Sequence, residues 1–324
     1  MSNIDQIISG DQKFNESAAI ANVRVAVIIP FFNEIEKLDR AVMSLIAQSL
    51  KPAQVVFVDD CGAERLDEAI LEKLGSNGIP AKLVRNAVNL GPGGSRQAGM
   101  DSLDKDIEYL LFLDSDDYLS DDFLRRSVIV HQDSGDLVAT FGNTINIETG
   151  INRVDDPGKP FKSLLDGLLI GRKWGTGALL WKYDQVKDVK WPSVRMVEDS
   201  FFEYEAARLN PRVSYVKDAT LFIEQNWDVS RLEKRNRVNE KFSDWPIRLR
   251  LYERMLEEYP FDWKGREGRH HLRFAVYQWS LYTDVGFIGY FSYAFKLLAK
   301  GKVPVFVRLM ADAPKYFLRK LREK

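Results

Sequence analysis

Short apolar runs and stretches of helical periodicity alternate along the first part of the chain. Apolar runs bounded by polar residues predict buried strands, at residues 23–30, 55–58, 81–85 and 109–113. Apolar residues at helical spacing predict helices between them, at residues 35–48, 66–74 and 95–103. Strands that alternate with short helices form βαβ units, so this part of the chain predicts a mostly parallel α/β sheet.

The regular alternation of predicted strands and helices ends after Asp117. The pattern then predicts a long strand or a strand pair, a glycine-containing loop, a helix and a further strand, at residues 137–147, 173–182, 197–209 and 213–223. From residue 229 onward the periodicity is mainly helical. We therefore expect an N-terminal tail, an α/β domain and a mostly helical C-terminal region, at residues 1–22, 23–230 and 231–324.

Composition narrows the classes of function without choosing among them. The chain has 324 residues and a formal net charge of −1, which provides no general attraction to nucleic acid, so we expect no nucleic-acid partner. A single cysteine, Cys61, excludes a disulfide framework. The N-terminus lacks the basic start and apolar stretch of a signal peptide, and no apolar run is long enough for a membrane span. These features predict a cytoplasmic protein.

The strand predicted at residues 109–113 runs directly into three carboxylates, those of Asp114, Asp116 and Asp117. Like charges this close repel one another, and a divalent cation relieves the repulsion. Mg²⁺ and Mn²⁺ prefer such oxygen ligands and often bridge to a substrate phosphate. The alternative is an exposed acidic turn that caps the following helix. The triplet alone leaves both interpretations open.

Polar or glycine-rich segments follow all four of the first predicted strands. The segments are PFFNE (residues 30–34), Asp59-Asp60, NLGPGGSR (residues 89–96) and Asp114-Ser115-Asp116. In a doubly wound sheet all four strand ends lie at one edge, so these residues predict a pocket for a nucleotide, a phosphate group and a metal ion. The glycines do not fit a dinucleotide-binding motif, because Arg96 stands where its third glycine should be.

The motifs IIPFFNE, VVFVDD, NLGPGGSRQAG, FLDSDD and VEDSFF, in this order and spacing, resemble the family 2 glycosyltransferases, which have the GT-A fold. The resemblance covers about residues 23–230. It implies a Rossmann-like, mostly parallel sheet flanked by helices, here with a helical C-terminal extension. It also implies an enzyme that moves a sugar from a nucleotide diphosphate to a hydroxyl acceptor with inversion, and that uses Mn²⁺ or Mg²⁺ as cofactor.

The resemblance implies a role for individual positions. Nucleotide-sugar binding would fall to residues near the strand ends: Pro30, Phe32, Glu34, Asp60, Gly93, Arg96, Asp114 and Ser115. Asp60 would accept a hydrogen bond from the base, and Asp114 would contact the ribose or support the site. Asp116 would ligate the metal ion. In the pair Glu198-Asp199, Asp199 would act as general base for the acceptor hydroxyl, although acids at a helix start are also favoured by the helix dipole alone.

Three assignments stay open. Arg96 is suited either to the diphosphate or to an ion pair with a strand-end aspartate. Trp174 is suited either to stacking on an acceptor sugar or to the hydrophobic core. Many members of the family carry a histidine as a third metal ligand after the strand that follows the Glu-Asp helix. Residues 222–228 contain no histidine here, so the third ligand would be either an oxygen of Asn226 or Asp228 or a water molecule.

The C-terminal region carries two further interpretations. Residues 274–299 are dense in aromatic side chains, and residues 300–324 hold eight Lys or Arg against two acids. Such a region is either a peripheral membrane-binding surface at the inner face of the membrane or a helical hairpin that packs on the α/β domain or forms a homo-oligomer contact. The expected acceptor is a saccharide or a lipid-linked saccharide, in the assembly of a surface polysaccharide or glycoconjugate.

Two other functions compete with glycosyl transfer. A sugar nucleotidyltransferase would need a glycine-rich, basic triphosphate loop after the first strand, and the segment FFNEIEK does not provide one. A catalytically silent scaffold or sugar-binding subunit would have no use for the set of Asp60, Asp114, Asp116 and Asp199.

Overall fold

The chain divides into two compact units. The computed structural model describes residues 20, 22–33, 35–154, 163–169, 172, 174–224, 245–259, 266–283 and 287–322. Unit 1 takes in Met1–Leu168 and Arg172–Asp228, and unit 2 takes in Leu169–Gly171 and Val229–Lys324. Unit 1 contains the sheet, and the described secondary structure of unit 2 is entirely helical.

An eight-stranded mixed sheet organises unit 1. Its strands are β1 (Val25–Phe31), β2 (Gln54–Asp59), β3 (Ala81–Arg85), β4 (Tyr109–Phe112), β5 (Tyr118–Leu119), β6 (Ala139–Asn146), β7 (Leu179–Lys182) and β8 (Val213–Ile223). Their spatial order is β3-β2-β1-β4-β7-β6-β8-β5. Strands β1 to β4 pair in parallel, as does β6 with β8, whereas the pairings β4–β7, β6–β7 and β5–β8 are antiparallel. The predicted α/β architecture is confirmed.

Helices lie between the strands along the chain. They are α1 (Leu38–Ala47), α2 (Glu68–Ser76), α3 (Gly91–Asp101), α4 (Phe123–Ser134), α5 (Leu164–Leu169), α6 (Tyr183–Val186) and α7 (Glu198–Leu209). Short 3₁₀ turns at Ile35–Lys37 and Thr176–Ala178 precede α1 and β7. The second turn and β7 (Leu179–Lys182) both lie within the segment predicted as a loop at residues 173–182.

The core of unit 1 is built on the central parallel strands. All residues of β1, β2 and β4 are buried. A strand that is covered on both faces has a nearly continuous apolar sequence, because neither of its faces meets water. Helix α3 packs closely on β1 because Gly99 has no side chain: a Cβ atom there would lie 2.5 Å from Cγ2 of Ile28. The apolar runs therefore identified the strands correctly.

Helix α3 begins earlier than the sequence predicts. The expected start was residue 95, but the glycine-rich segment from Gly91 already forms the first helical turn. The Asp60 carboxylate accepts the backbone N–H groups of Leu90 and Gly91, each at 2.8 Å, and so satisfies donors that a helix start leaves without partners. Pro92 also suits the first turn, since it needs no N–H partner there.

Unit 2 consists of four helices in its described residues: α8 (Trp245–Glu258), α9 (Arg266–Tyr282), α10 (Phe287–Ala299) and α11 (Val303–Arg322). The predicted helical C-terminal region is thus confirmed. Tyr290 of α10 lies at the centre of the packing, with its ring centroid 5.4 Å from that of Trp279 and 4.8 Å from that of Tyr316. Its hydroxyl donates a 2.9 Å hydrogen bond to the carbonyl oxygen of Leu309. In the part of the chain that is described, no helix is both long and apolar enough to cross a bilayer.

Candidate active site

Most of the predicted site residues meet at one edge of the sheet. Asp60 follows β2, Asp114 and Asp116 follow β4, and Arg96 lies on α3, which begins next to Asp60. Glu198 and Asp199 form the first turn of α7. Hydrogen bonds and ion pairs connect these elements directly, so the convergence expected from parallel strand ends is present in the structure.

Arg96 connects the strand ends to α7. Its Nη2 donates to Asp114 Oδ1 at 2.6 Å, and its Nη1 donates to Glu198 Oε1 at 2.9 Å. The guanidinium carbon also lies 4.8 Å from the ring centre of Trp191. Burial would lower the pKa of Arg96, but the Asp114 and Glu198 carboxylates outweigh it and raise the pKa. Of the two roles left open for Arg96, the structure therefore shows the ion pair with a strand-end aspartate.

Glu198 is buried against the start of α3. A Cβ atom on Gly93 would lie 3.1 Å from Cγ of Glu198 and 3.2 Å from the carbonyl oxygen of Pro192, so the glycine leaves room for this packing. Burial and the neighbouring Asp199 carboxylate raise the pKa of Glu198 to about 7, against the opposing effect of Arg96. Gly93 thus permits close packing of Glu198, and its predicted part in nucleotide-sugar binding stays a prediction.

Asp199 belongs to a second ion-pair cluster on the other side of the α7 start. Its Oδ2 lies 2.7 Å from Nη1 of Arg172, and its Oδ1 accepts the backbone N–H of Ser200 at 2.6 Å. Arg172 also binds Glu203, through Nη2 at 2.7 Å and Nε at 3.0 Å. Asp199 and Glu203 are one helical turn apart, so both face the same guanidinium. Arg172 has a positive φ of 40°, a strained conformation for a residue with a side chain, and these contacts compensate for the strain.

The two carboxylates bound to Arg172 differ in their exposure to solvent. The Asp199 side chain is 21% exposed, whereas that of Glu203 is 2% exposed. Burial raises the pKa of Glu203, and Arg172 counteracts that effect. Asp199 is therefore partly accessible to solvent, while Glu203 holds Arg172 in place.

Carboxylates also crowd together after β4. Burial and the Asp114 carboxylate raise the pKa of Asp116, and burial together with Asp114 and Asp116 raises the pKa of Asp117 well above its usual range. Glu224, just after β8, adds further negative charge near Asp116. This repulsion is what a divalent cation would relieve.

The donor set fits a metal ion that is shared with a substrate. The described residues contain no group of three or more His, Cys, Asp or Glu side chains arranged as a complete metal site. Mg²⁺ and Mn²⁺ are commonly held by one or two carboxylates plus phosphate oxygens, and Asp116 offers such a carboxylate. Asp114 is already engaged by Arg96, so Asp116 is the better placed of the two for direct ligation.

Asp60 and its surroundings form the side of the site predicted for the nucleotide. Asp60 is buried, and its Oδ1 accepts Nδ2 of Asn86 at 2.8 Å in addition to the N–H of Leu90. Its other oxygen accepts the N–H of Gly91. The carboxylate therefore fixes the start of α3, and Oδ2 keeps a lone pair for one further donor.

The other predicted positions lie in different surroundings. Pro30 is buried within β1, Phe32 is 47% exposed, and Ser115 is half-buried between the two aspartates. Glu34, Asn226 and Asp228 lie outside the described residues, so their predicted roles stay predictions.

Trp174 corrects one expectation. Its side chain is fully buried, and its ring centroid lies 5.2 Å from that of Phe141. A Cβ atom on Gly167 would lie 1.9 Å from Cη2 of the indole, so the ring fills the space beside that glycine. The proposed stacking of Trp174 on an acceptor sugar is wrong for this structure, and the core interpretation is correct.

Comparison with known proteins agrees with this geometry. Residues 26–183 match the family model described as glycosyl transferase family 2. Over this segment, just under half of its length, the chain is similar to glycosyl transferase family 2. The matched segment contains Asp60, Arg96, Asp114 and Asp116 but ends before Glu198, so the placement of the Glu-Asp pair in this glycosyltransferase rests on the contacts described above.

The relatives are glycosyltransferases and polysaccharide biosynthesis proteins. An uncharacterized glycosyltransferase of Haemophilus influenzae is 23% identical over 199 residues, which is 61% of this chain and 78% of the relative. The succinoglycan biosynthesis protein ExoW of Rhizobium meliloti is 31% identical over 102 residues, 31% of this chain and 32% of the relative. The putative glycosyltransferase EpsH of Bacillus subtilis is 25% identical over 207 residues, 60% of this chain and 58% of the relative. The matches to ExoW and EpsH thus span less than two thirds of those proteins.

Solved structures share the fold at low sequence identity. TarS of S. aureus, residues 1–349, superposes with a TM-score of 0.52 at 17% identity, covering 90% of this chain and 92% of that chain. That protein has also been crystallised with UDP and with UDP-GlcNAc. At this identity the likeness establishes the fold alone.

Sequence reasoning missed part of this glycosyltransferase site. Arg172, Glu203 and Trp191 belong to no motif of the family that was recognised in the sequence. Glu203 could have been found, because its spacing of four residues from Asp199 places both on one helix face. Arg172 could not have been found in this way, because it lies in an irregular segment, where the spacing of residues does not indicate which side chains share a face.

Proposed function

We propose that this enzyme transfers a sugar, with inversion, from a nucleotide diphosphate to a hydroxyl group of a saccharide or lipid-linked saccharide. The observation that carries the proposal is Arg96, which joins Asp114 on the predicted donor side to Glu198 beside Asp199 on the predicted acceptor side. A displacement reaction needs these two sides held at a fixed separation, with attack opposite the leaving group. The naming of relatives after polysaccharide biosynthesis supports a role in surface polysaccharide or glycoconjugate assembly.

On the donor side, the chain would position the nucleotide and its diphosphate. The remaining lone pair on Asp60 would accept a hydrogen bond from the base, and Asp114 would act from the orientation that Arg96 imposes. Asp116 would hold Mn²⁺ or Mg²⁺, which supplies neutralisation of the charge that develops on the leaving diphosphate. The TarS complexes with UDP and UDP-GlcNAc favour a uridine nucleotide as the first donor to test.

On the acceptor side, Asp199 would take the proton of the attacking hydroxyl. Ser200 N–H and Arg172 hold the carboxylate from two directions and so fix its orientation, which proton transfer requires. Glu198 is too buried for that role, and its contact with Arg96 makes it a positioning residue. Arg172 fixes the geometry on which proton transfer depends.

Release of free nucleoside diphosphate is the test. The purified chain would be given UDP-sugars with Mn²⁺ and saccharide acceptors, and the product would be checked for anomeric configuration by NMR. We expect acceptor-dependent release of UDP and an inverted product. A sugar nucleotidyltransferase would instead consume a nucleoside triphosphate and release pyrophosphate, and a silent binding subunit would release neither. Either result, or a product of retained configuration, would contradict the proposal.

A further inference from the structure

Unit 2 contains a cavity that takes no part in the site described above. Its volume is about 610 Å³, and it lies between α9, α10 and α11. Arg273 and Tyr277 of α9 line one wall, and Lys315 and Arg319 of α11 line the other. Residues three or four positions apart share one face of a helix, so each of these pairs projects from a single helix face toward the cavity.

The wall of this cavity is strongly basic. Its described residues include four cations (Arg273, Arg308, Lys315 and Arg319) and one carboxylate, that of Asp312, which together carry a net charge of +3 with histidine neutral. The carboxylate is already engaged, because Asp312 accepts two hydrogen bonds of 2.5 Å from Arg308. No negative charge of the wall therefore remains for the other cations.

Two of those cations have no counter-charge. Among the residues that the structure describes, neither Arg273 nor Lys315 forms an ion pair, and both are exposed. Arg319, by contrast, donates to the carbonyl oxygen of Ser280 near the end of α9 and lies 5.8 Å from the ring centre of Tyr316. A concave site with unpaired guanidinium and ammonium groups attracts an anion, and a guanidinium binds phosphate oxygens in a two-pronged geometry.

Three tyrosines also line the wall, and they bear on the body of the ligand. Tyr277 is 51% exposed, and the buried rings of Tyr290 and Tyr316 lie deeper in the cavity. Tyrosine rings offer a flat apolar face together with a hydroxyl group, which suits the carbon face and hydroxyl groups of a sugar. The volume is that of a pocket for a ligand larger than a single phosphate ion.

We propose that this cavity binds a phosphate-bearing saccharide, with the phosphate at Arg273 and Lys315 and the sugar ring against Tyr277. The ligand has one chemistry but two sources, a free sugar phosphate or the phosphate-linked sugar of a lipid carrier. The inference does not rest on the transfer reaction proposed above, since none of the cavity residues belongs to the candidate active site.

Calorimetric titration of the full chain with glucose 1-phosphate tests the phosphate contact. We expect saturable binding that weakens at least tenfold in the double variant Arg273→Ala/Lys315→Ala. The matched control is Arg250→Ala/Lys302→Ala, which removes the same two residue types from unit 2 outside the cavity wall and should change the affinity less than twofold. Absence of saturable binding, or equal weakening in both double variants, would overturn the proposal. An affinity that changes in neither double variant would place the ligand at another site, such as the active site, and would also overturn the proposal.

Tyr277 variants test the saccharide part. Tyr277→Ala should weaken glucose 1-phosphate severalfold and leave inorganic phosphate unchanged, whereas Tyr277→Phe should retain binding because the ring is kept. If inorganic phosphate binds as tightly as glucose 1-phosphate, the saccharide assignment is wrong. An octyl phosphodiester of glucose then distinguishes the sources: tighter binding than glucose 1-phosphate identifies the lipid-linked form, and weaker binding identifies the free sugar phosphate.

Discussion

Asp199 is a partly exposed carboxylate at the start of α7, and the first prediction concerns its chemistry. Asp199→Asn keeps the shape of the side chain but cannot accept a proton from the acceptor hydroxyl. We expect the transfer rate to fall by about 10²–10⁴-fold, while UDP-sugar affinity measured by calorimetry changes less than twofold. Glu205→Gln, further along the same helix, is the control and should leave the rate unchanged. A turnover near that of the wild type would remove Asp199 from the role of base.

Arg172 is expected to act on both stability and rate, and a second substitution separates the two effects. Arg172→Met leaves Glu203 buried without its cation, so the free energy of unfolding should fall by about 3 kcal/mol. Adding Glu203→Gln removes the uncompensated charge and should restore most of that stability. The transfer rate should stay low in the double variant, because Asp199 has still lost the guanidinium that orients it. Recovery of the rate along with the stability would show that Arg172 acts only through folding.

Glu198 predicts a pH dependence of stability. Its pKa is raised from 4.5 to about 7 in the folded chain, so between these values the folded state binds more protons than the unfolded state. The stabilising contribution of the protonated form is present below about pH 4.5 and is lost as the pH rises through 7. We expect the free energy of unfolding to fall between pH 5 and pH 8, and to fall less steeply in Glu198→Gln. The free energy of unfolding is measured by urea denaturation at each pH. An equal dependence on pH in the wild type and in Glu198→Gln would contradict this assignment.

The carboxylates of the site could be predicted from the sequence, but most of the residues that bind them could not. Asp60, Asp114 and Asp116 were predictable because each follows an apolar strand, and strand ends of a parallel sheet converge. Arg96 was found, but its partners Asp114 and Glu198 lie 18 and 102 residues away, and pattern reasoning could not choose between them and a phosphate. Trp174 was left open between an acceptor platform and the core, and only its packing beside Gly167 in the structure identifies it as a core residue.

At the scale of elements, predictions succeeded where the signal was local. The strands expected at residues 81–85 and 213–223 appear as β3 and β8 with those bounds. The start of α3 was missed because its cap is the Asp60 carboxylate, which comes from another element some thirty residues earlier. Strand β5 has two residues, too few for any periodicity, and exists because it pairs with β8.

The packing of α3 on β1 gives a prediction with a built-in control. Gly99→Ala would place a Cβ atom 2.5 Å from the buried Ile28 side chain, and overpacking of this kind costs about 1–3 kcal/mol. Gly75 lies at a comparable position near the end of α2, where an added Cβ meets nothing within 4 Å. Gly75→Ala should therefore stabilise the chain by about 0.5 kcal/mol through helix propensity alone. Urea denaturation of both variants measures the difference, and destabilisation of equal size in both would contradict the packing argument.

For the whole molecule, the acidic cluster after β4 should couple global stability to divalent metal and to pH. Asp116 and Asp117 have raised pKa values, so their ionisation near neutral pH opposes folding, and a cation bound at Asp116 removes part of that repulsion. A ligand that binds the folded state alone raises the melting temperature by mass action. We expect Mn²⁺ to raise the melting temperature at pH 7.5, and to do so more strongly when UDP supplies phosphate oxygens.

Two comparisons make this last prediction specific to the cluster. The increment from Mn²⁺ should shrink as the pH is lowered, because groups with raised pKa values take up protons that compete with the metal ion. Asp116→Asn should raise the melting temperature of the metal-free protein, since one of the repelling charges is gone, and should also abolish the response to Mn²⁺. A variant that loses the repulsion but keeps the full response would place the metal ion on other ligands. A variant that melts lower without metal would mean that the Asp116 charge stabilises the fold.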